Sequence, residues 1–260
     1  MLKNRFELNI GKAIGKVVFI VEGTKKEFSL LTHIFNKLLK YNVVQMKKCQ
    51  EDVVLLENPN NLYDEVFIIN ALNSNISCLK SESGTEYLDV IFNKLTNEYN
   101  VDVFDSALFY IFDRDNLSNK ADVVEELLSI LGSSRDNGVE MNGLLLISYP
   151  CVEYYVISCF DGEAVDTGVK TAKHLKKYID LNKMNQTKIT SDMLLTANNC
   201  MISKLESIIG DFEVSYLDNF ADNNLEVFKY EEKQLSLGRY DFISLVSLAF
   251  LDLGLIKVNE

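Results

Sequence analysis

The sequence predicts an α/β protein whose main domain is built on a mainly parallel sheet with helices on both faces. Through the first 160 residues, apolar runs of strand length alternate with segments of helical periodicity, as in βαβ units. Two of these runs end directly on acidic residues. After residue 160 the apolar residues follow helical spacing. We therefore expect a domain at 1–160 and a mainly helical C-terminal region at 161–260.

The elements follow in order along the chain. Strands are predicted where short apolar runs are rich in β-branched and aromatic residues, at Lys16–Val21, Asn42–Met46, Val66–Ile69, Ala107–Phe112 and Gly143–Ser148. Helices are predicted where apolar residues recur every three or four positions, at Lys25–Lys40, Glu86–Tyr99, Asn119–Leu131, Cys151–Phe160, Val169–Ile179, Met193–Ile209 and Phe242–Leu253. Gly132 is expected to cap the helix that ends at Leu131.

Composition limits the compartment and the partners. The chain has 260 residues and 47% hydrophobic content, and no apolar stretch is long enough to span a membrane. Five cysteines without a CxxC pair and two histidines argue against zinc and fit a reducing cytosol. We expect no signal peptide, because the first residues lack an unbroken apolar segment. A net charge of -12 repels bare nucleic acid, so a nucleic-acid role requires a basic patch, a metal ion or a partner.

The first acidic motif follows the predicted strand Lys16–Val21. Glu22 ends this strand and Gly23 comes next, which allows a sharp turn and a close approach to a ligand. A glutamate at a sheet edge suits metal binding or general acid–base chemistry. Glu27 lies one turn into the following helix and is placed to point toward the same site. The alternatives are a solvated strand end for Glu22 and a favourable interaction with the helix dipole for Glu27.

The second acidic motif is Asp113-Arg114-Asp115, which follows a buried-looking strand. Residues two apart in extended backbone point to the same side, so both carboxylates can bind one hard cation, while Arg114 points away. Because ligands bind at the carboxyl edge of parallel strands, we expect Glu22 to converge with Asp113 and Asp115 there. The alternative is that the two acids begin a turn or a helix without any metal.

Glu153 is the third acidic candidate. It comes shortly after Pro150, which interrupts the preceding apolar strand, and it stands at the start of an apolar helix. There we expect its carboxylate to be exposed and to face the Asp113 motif. Capping of its own helix is the alternative, since an acid in the first turn is electrostatically favourable.

Together these motifs resemble the Toprim domain, the metal-dependent catalytic fold of topoisomerases, primases and OLD-family nucleases. The signature of that family is a strand-terminal Glu-Gly, like Glu22-Gly23, and a later strand that ends in Asp-x-Asp. The chain is most similar to the OLD-like and RloB-like proteins of anti-phage defence, which add a glutamate like Glu27 and a Pro-x-x-Glu like Pro150–Glu153. The resemblance covers about residues 16–160, with an insertion at about 48–105, and implies a Toprim or Rossmann-like fold.

The resemblance implies a cytoplasmic endonuclease that uses Mg²⁺ or Mn²⁺ to cleave phosphodiester bonds in DNA or RNA, including tRNA. Such an enzyme would be a toxin-like effector of abortive infection. The implied roles are catalysis for Glu22, Asp113 and Asp115, metal binding for these three with Glu27 and Glu153, and phosphate binding for Lys25 and Lys26. The chain contains no GxxxxGK[ST] motif, so the protein would act either as a stand-alone effector or with a separately encoded ATPase partner.

Two other functions stay open at this point. A phosphotransferase of the HAD type also uses a strand-terminal Asp-x-Asp, but its DxDx[TV] pattern is missing from Asp113–Leu117. A non-catalytic Toprim-like sensor or interaction module of a defence system is the other alternative, because an acidic surface suits contacts with a protein partner.

Overall fold

The structure is a computed structural model that describes most of the chain. The described residues are 5–22, 26–44, 53–70, 92–93, 95–97, 101, 103, 105–114, 120–135, 142–162, 171–210, 212 and 220–259. Gly23, Lys25 and Asp115 lie outside them, as does most of the predicted helix Glu86–Tyr99.

A mixed sheet forms the centre of the fold. Its strands are β2 Lys16–Val21, β3 Asn42–Val44, β4 Val53–Asn58, β5 Asn61–Asn70, β6 Ser106–Asp113, β7 Gly132–Ser133, β8 Gly143–Tyr149 and β9 Ile243–Ser244. Their spatial order is β3-β4-β5-β2-β6-β8-β7, and β9 also pairs with β8. A separate antiparallel pair consists of β1 Phe6–Leu8 and β10 Ile256–Val258.

The middle of the sheet is parallel and its flanks are antiparallel. β5, β2, β6 and β8 run in the same direction, whereas β3, β4, β7 and β9 pair antiparallel with their neighbours. The prediction of a mainly parallel sheet is therefore corrected to a mixed α/β sheet. The physical reason is clearest between β4 and β5, where a two-residue turn permits only antiparallel pairing, since parallel strands require a long crossover.

The parallel strands bring the predicted acidic motifs to one edge. In the register of β2 and β6, Val21 lies beside Ile111, and in that of β6 and β8, Asp113 lies beside Ser148. All of β8 and nearly all of β6 are buried, which explains why their sequences are almost entirely apolar. Glu22, Asp113 and the turn after β8 therefore emerge together at the carboxyl edge.

Seven α-helices among the described residues pack around this sheet. They are α1 Lys26–His33, α2 Ala121–Ile130, α3 Glu153–Asp161, α4 Ala172–Leu181, α5 Ser191–Ile208, α6 Phe220–Ser236 and α7 Val246–Asp252. α1 continues as a π-helical turn over Ile34–Leu38, and a short 3-10 turn lies at Gln186–Lys188. None of the helices in the described ranges combines the length and the apolar character needed to cross a membrane.

Gly132 does not cap α2, so this prediction is wrong. The C-cap of α2 is Leu131, and Gly132 begins β7, where it pairs with Leu144 of β8. A Cβ atom at Gly132 would lie 2.7 Å from the Cβ of Ala221 at the start of α6. Glycine is needed at this position because a helix approaches closely, and not because the chain turns.

The C-terminal region is mainly helical in its described residues, and it also contributes to the sheet. β9 lies within the predicted helix Phe242–Leu253, yet it pairs with the end of β8. Asn224 of α6 donates a hydrogen bond to the carbonyl oxygen of Leu145 in β8 (2.7 Å). Residues from both predicted regions share one apolar core. β5 likewise belongs to the parallel centre, although it lies in the stretch 48–105 predicted to be an insertion.

Candidate metal site at the sheet edge

Glu22 and Asp113 meet at the carboxyl edge of the parallel strands. Glu22 directly follows β2, and Asp113 is the last residue of β6. The backbone amide of Asp113 donates a hydrogen bond to Oε2 of Glu22 (3.1 Å), across a sequence separation of 91 residues. The structure thus brings together these two acids, whereas Asp115 lies outside the described residues.

Glu153 joins the two acids from the start of α3. Its carboxylate, that of Asp113 and the thiol of Cys151 lie within 4.8 Å of one another. Oδ1 of Asp113 also accepts a hydrogen bond from the backbone amide of Val152 (2.7 Å), which holds the turn before α3 against the end of β6. Glu153 faces Asp113 as expected, but it is 2% exposed, so the expectation of an exposed carboxylate is wrong. The turn after β8 carries it into the interior.

Glu27 is the fourth acid of this group. It lies in the first turn of α1 and is 8% exposed. Burial raises its pKa above the ordinary value, and the negative charges of Glu153 and Glu22 raise that pKa further. Because these charges act on it, Glu27 belongs to the same electrostatic cluster, and its role as a metal ligand stays a prediction.

The pKa of Asp113 is held well above its usual range by its surroundings. Burial is the main cause, the charges of Glu27, Glu153 and Glu22 add to it, and the hydrogen bond from Val152 acts in the opposite direction. Carboxylates packed this closely disfavour each other's ionised form unless a positive charge neutralises them. A bound cation would relieve this repulsion.

Two lysines face the acids. Nζ of Lys26 donates a hydrogen bond to Oε1 of Glu153 (2.6 Å), and Nζ of Lys176 in α4 lies 3.8 Å from the same oxygen. Burial alone would raise the pKa of Glu153, but the hydrogen bond and charge of Lys26 bring this pKa below its ordinary value. Lys26, expected to bind phosphate, thus pairs with an acid of the cluster, and Lys25 lies outside the described residues.

The ligand atoms of the cluster suit a hard divalent cation. Its carboxylate oxygens are the donors that Mg²⁺ and Mn²⁺ prefer. Oε2 of Glu153 is buried and has no N–H or O–H donor, a state that a cation would satisfy. Cys151 is a poor ligand, because burial and the charges of Glu153 and Asp113 raise the pKa of its thiol. The site therefore fits magnesium or manganese better than zinc.

Arg114 and Asn70 are two further polar residues near these strand ends. Nε of Arg114 donates a hydrogen bond to Oε1 of Glu232 in α6 (2.8 Å), so the side chain is directed toward α6 instead of the acids. Asn70 ends β5 beside Val21, is 3% exposed, and has no hydrogen-bond partner for its side-chain amide. Asn70 is therefore a buried polar group available at the edge that carries the acids.

Sequence reasoning missed Cys151 and Lys176. Cys151 stands two residues before Glu153 in the Pro150–Glu153 motif, so its position in the turn was a usable signal. No pattern connects Lys176 with Glu153, because their contact joins the separate helices α4 and α3.

The fold and the site define a mixed α/β protein with a cluster of buried and half-buried carboxylates at the carboxyl edge of its parallel strands. Comparison of the chain with protein-family models, curated proteins and solved structures gives no match. The likeness to the Toprim domain therefore rests on the chain's own motifs.

Proposed function

We propose that this protein is a Toprim-type nuclease that cleaves phosphodiester bonds with Mg²⁺ or Mn²⁺. The observation that carries the proposal is the convergence of Glu22, Glu27, Asp113 and Glu153, which come from three separate parts of the sequence. Titratable groups with strongly perturbed pKa values gather at functional sites more often than elsewhere. The four parallel strands at whose carboxyl edge these acids lie are compatible with a Toprim or Rossmann-like core.

The four acids would hold the metal ion, and Asp115 is expected to join them. When bound, the ion would neutralise charge on the scissile phosphate and make a bound water more acidic. Glu22 is half-buried at the strand end, where its carboxylate is placed to take the proton of an attacking nucleophile. Val152 and Lys26 fix the orientations of Asp113 and Glu153 through hydrogen bonds. Lys26 is also close enough to these acids to move to a phosphate that enters the site.

The biological setting belongs to the same proposal. An effector role in anti-phage defence, a cytoplasmic location, toxicity on activation and a separately encoded ATPase partner all rest on the motif resemblance. The substrate is a polynucleotide, DNA or RNA.

The second candidate function is a non-catalytic sensor or interaction module. The observation that favours it is the ion pair of Lys26 with Glu153, with an N–O distance of 2.6 Å. This pair gives the cluster a positive charge of its own, so the carboxylates are partly neutralised without a metal ion.

Metal binding and cleavage measured on matched variants separate the two functions. The substitutions are Asp113→Asn in the site and Glu125→Gln on the exposed surface of α2 as the control. We expect Mn²⁺ to raise the melting temperature of the wild type and of the control, because binding to the folded state stabilises it. We also expect both proteins to cut RNA or DNA only with Mg²⁺ or Mn²⁺.

Asp113→Asn should show neither the rise in melting temperature with Mn²⁺ nor the metal-dependent cleavage, since it removes a ligand and a charge from the centre of the cluster. The nuclease proposal fails if Mn²⁺ does not raise the melting temperature of the wild type and the wild type cuts none of four substrates. These substrates are single-stranded RNA, tRNA, single-stranded DNA and duplex DNA. Retained binding of a protein partner by Asp113→Asn would then support the sensor function.

A further inference from the structure

We infer that the exposed lysines of α4 and of the segment after it bind the phosphate backbone of a polynucleotide and lead it to the acidic cluster. This inference rests on the proposed nuclease function and names its substrate-binding surface. We call these residues the lysine surface, and its members are Lys173, Lys176, Lys177, Lys183 and Lys188.

The lysine surface reverses the charge of the chain locally. Residues 171–188 contain five lysines and one acid, Asp180, so their net charge is 5 − 1 = +4. Since the whole chain carries -12, the remaining residues carry -16. All five lysines are exposed. In so acidic a protein, this concentration of positive charge is a place where a polyanion can bind.

The lysines of α4 form a stripe that reaches the candidate site. α4 packs inward through Leu175. At ~100° per residue, Lys173, Lys176 and Lys177 fall within an arc of roughly 100° on the helix surface. Nζ of Lys176 lies 3.8 Å from Oε1 of Glu153, so one edge of the stripe touches the acidic cluster.

The segment after α4 continues the lysine surface along α1. Nε2 of Gln186 donates a hydrogen bond to Oγ of Ser29 (2.7 Å), and Nε2 of His33 lies 2.8 Å from the carbonyl oxygen of Ile189. These contacts fix the segment that carries Lys188 against the helix whose first turn holds Glu27 of the cluster and Lys26, which pairs with Glu153. The segment that carries Lys188 is thus attached to α1 at both of its ends.

A solvated helix face would explain exposed lysines, but it would not explain why one of them, Lys176, lies 3.8 Å from a buried acid. Glu153 is 2% exposed, and its Oε2 atom has no N–H or O–H donor. A site that handles a phosphodiester needs cations beside its carboxylates, because the carboxylates alone repel the substrate. Lys176 supplies such a cation, and the stripe extends from it over the surface.

The test measures polynucleotide binding by the full-length chain without cleavage. The probes are fluorescein-labelled single-stranded RNA, single-stranded DNA and duplex DNA, titrated in EDTA with anisotropy as the readout. The variant is Lys173→Gln/Lys177→Gln, which leaves the groups next to Glu153 intact. The control is Lys12→Gln/Lys257→Gln, whose lysines are also exposed. Lys12 precedes β2, at the end of the strand opposite to the site and ~20 Å from it.

We expect the lysine-surface variant to bind at least about tenfold more weakly than the wild type near 0.1 M salt. The slope of log K against log salt concentration should fall by about 1.4 to 1.8, because two phosphate contacts are lost. The control should keep the affinity and the salt slope of the wild type. Melting temperatures should show that both variants are folded. The probe that binds most tightly identifies the substrate as RNA or DNA.

Equal affinities and slopes for the lysine-surface variant and the wild type would overturn the inference. Failure of the wild type to bind any probe at about 50 mM salt would overturn it as well. Lysine-dependent binding without cleavage in Mg²⁺ or Mn²⁺ would support the inference and refute the nuclease. Cleavage that is unchanged in the lysine-surface variant would refute the inference and leave the nuclease standing.

Discussion

Glu231 of α6 is a buried acid whose replacement should change how stability depends on pH. Its side chain is 1% exposed, Oε2 accepts a hydrogen bond from the amide of Asp241 (3.3 Å), and Oε1 has no partner. Burial raises the pKa of Glu231 to about 7, the charge of Asp241 adds to this, and that of Lys204 acts in the opposite direction. The substitution Glu231→Gln keeps the shape of the side chain and removes its titratable carboxyl group.

The sign and size of the effect follow from proton linkage. Between the ordinary pKa of 4.5 and the folded-state pKa of about 7, the unfolded chain holds fewer protons at Glu231 than the folded chain does. The contribution of Glu231 to the free energy of unfolding is therefore largest below the ordinary pKa, and it falls as pH rises toward the folded-state pKa. Since each tenfold change in proton affinity is worth ~1.4 kcal/mol, the loss between about pH 5 and pH 8 is about 2 to 3 kcal/mol.

Urea unfolding of the wild type and of Glu231→Gln at these two pH values tests the argument. From pH 5 to pH 8, the free energy of unfolding of the variant should rise by about 2 to 3 kcal/mol relative to that of the wild type, which shifts the urea midpoint by on the order of 1 M. The exposed Glu226 on the same helix supplies the control, Glu226→Gln, which should show no such gain. A difference between wild type and Glu231→Gln that stays the same at both pH values would refute the reasoning.

Two further changes test the packing around the site and the sheet. Glu153→Gln should lower the free energy of unfolding at neutral pH by about 1 to 2 kcal/mol, because Lys26 loses its ion pair while staying 36% exposed. Since the pKa of Glu153 is lowered in the fold, this loss should shrink as pH falls below the ordinary value of 4.5, measured by metal-free denaturant titration. Gly132→Ala should lower stability by about 1 to 3 kcal/mol, because its Cβ would meet that of Ala221 at 2.7 Å. Gly11→Ala, with nothing within 4 Å, is the matched control, and equal melting temperatures would contradict the close approach.

The parallel centre of the fold could be predicted because its strands are buried on both faces. Such strands appear in the sequence as unbroken apolar runs, and β2 matches its predicted range. The helix α6 could not be predicted in the same way. It buries Glu231 and Gln234 along with Phe228, so its inward face contains residues that a sequence pattern assigns to the surface. The antiparallel flanks were missed because their pairing depends on turns and on distant segments.

The acidic cluster was predictable only in part. Glu22 and Asp113 end neighbouring parallel strands, and this topology alone requires their side chains to share an edge. The burial of Glu153 was not predictable, because acids at helix starts are usually solvated. Its pairing with Lys26 and Lys176 depends on how three helices pack, which the order of residues does not show.

Contacts from α6 and β9 support the candidate site, and they determine when a newly synthesised chain can complete this site. A ribosome synthesises Asp113 and β8 long before Glu232, which pairs with Arg114, and before Ser244, whose Oγ lies 2.7 Å from Oγ of Ser148. During that interval the end of β8 has no antiparallel neighbour and Arg114 has no counter-charge from α6. The order of synthesis therefore delays the finished site until α6 and β9 have emerged, and interrupted products contain the acids without their support.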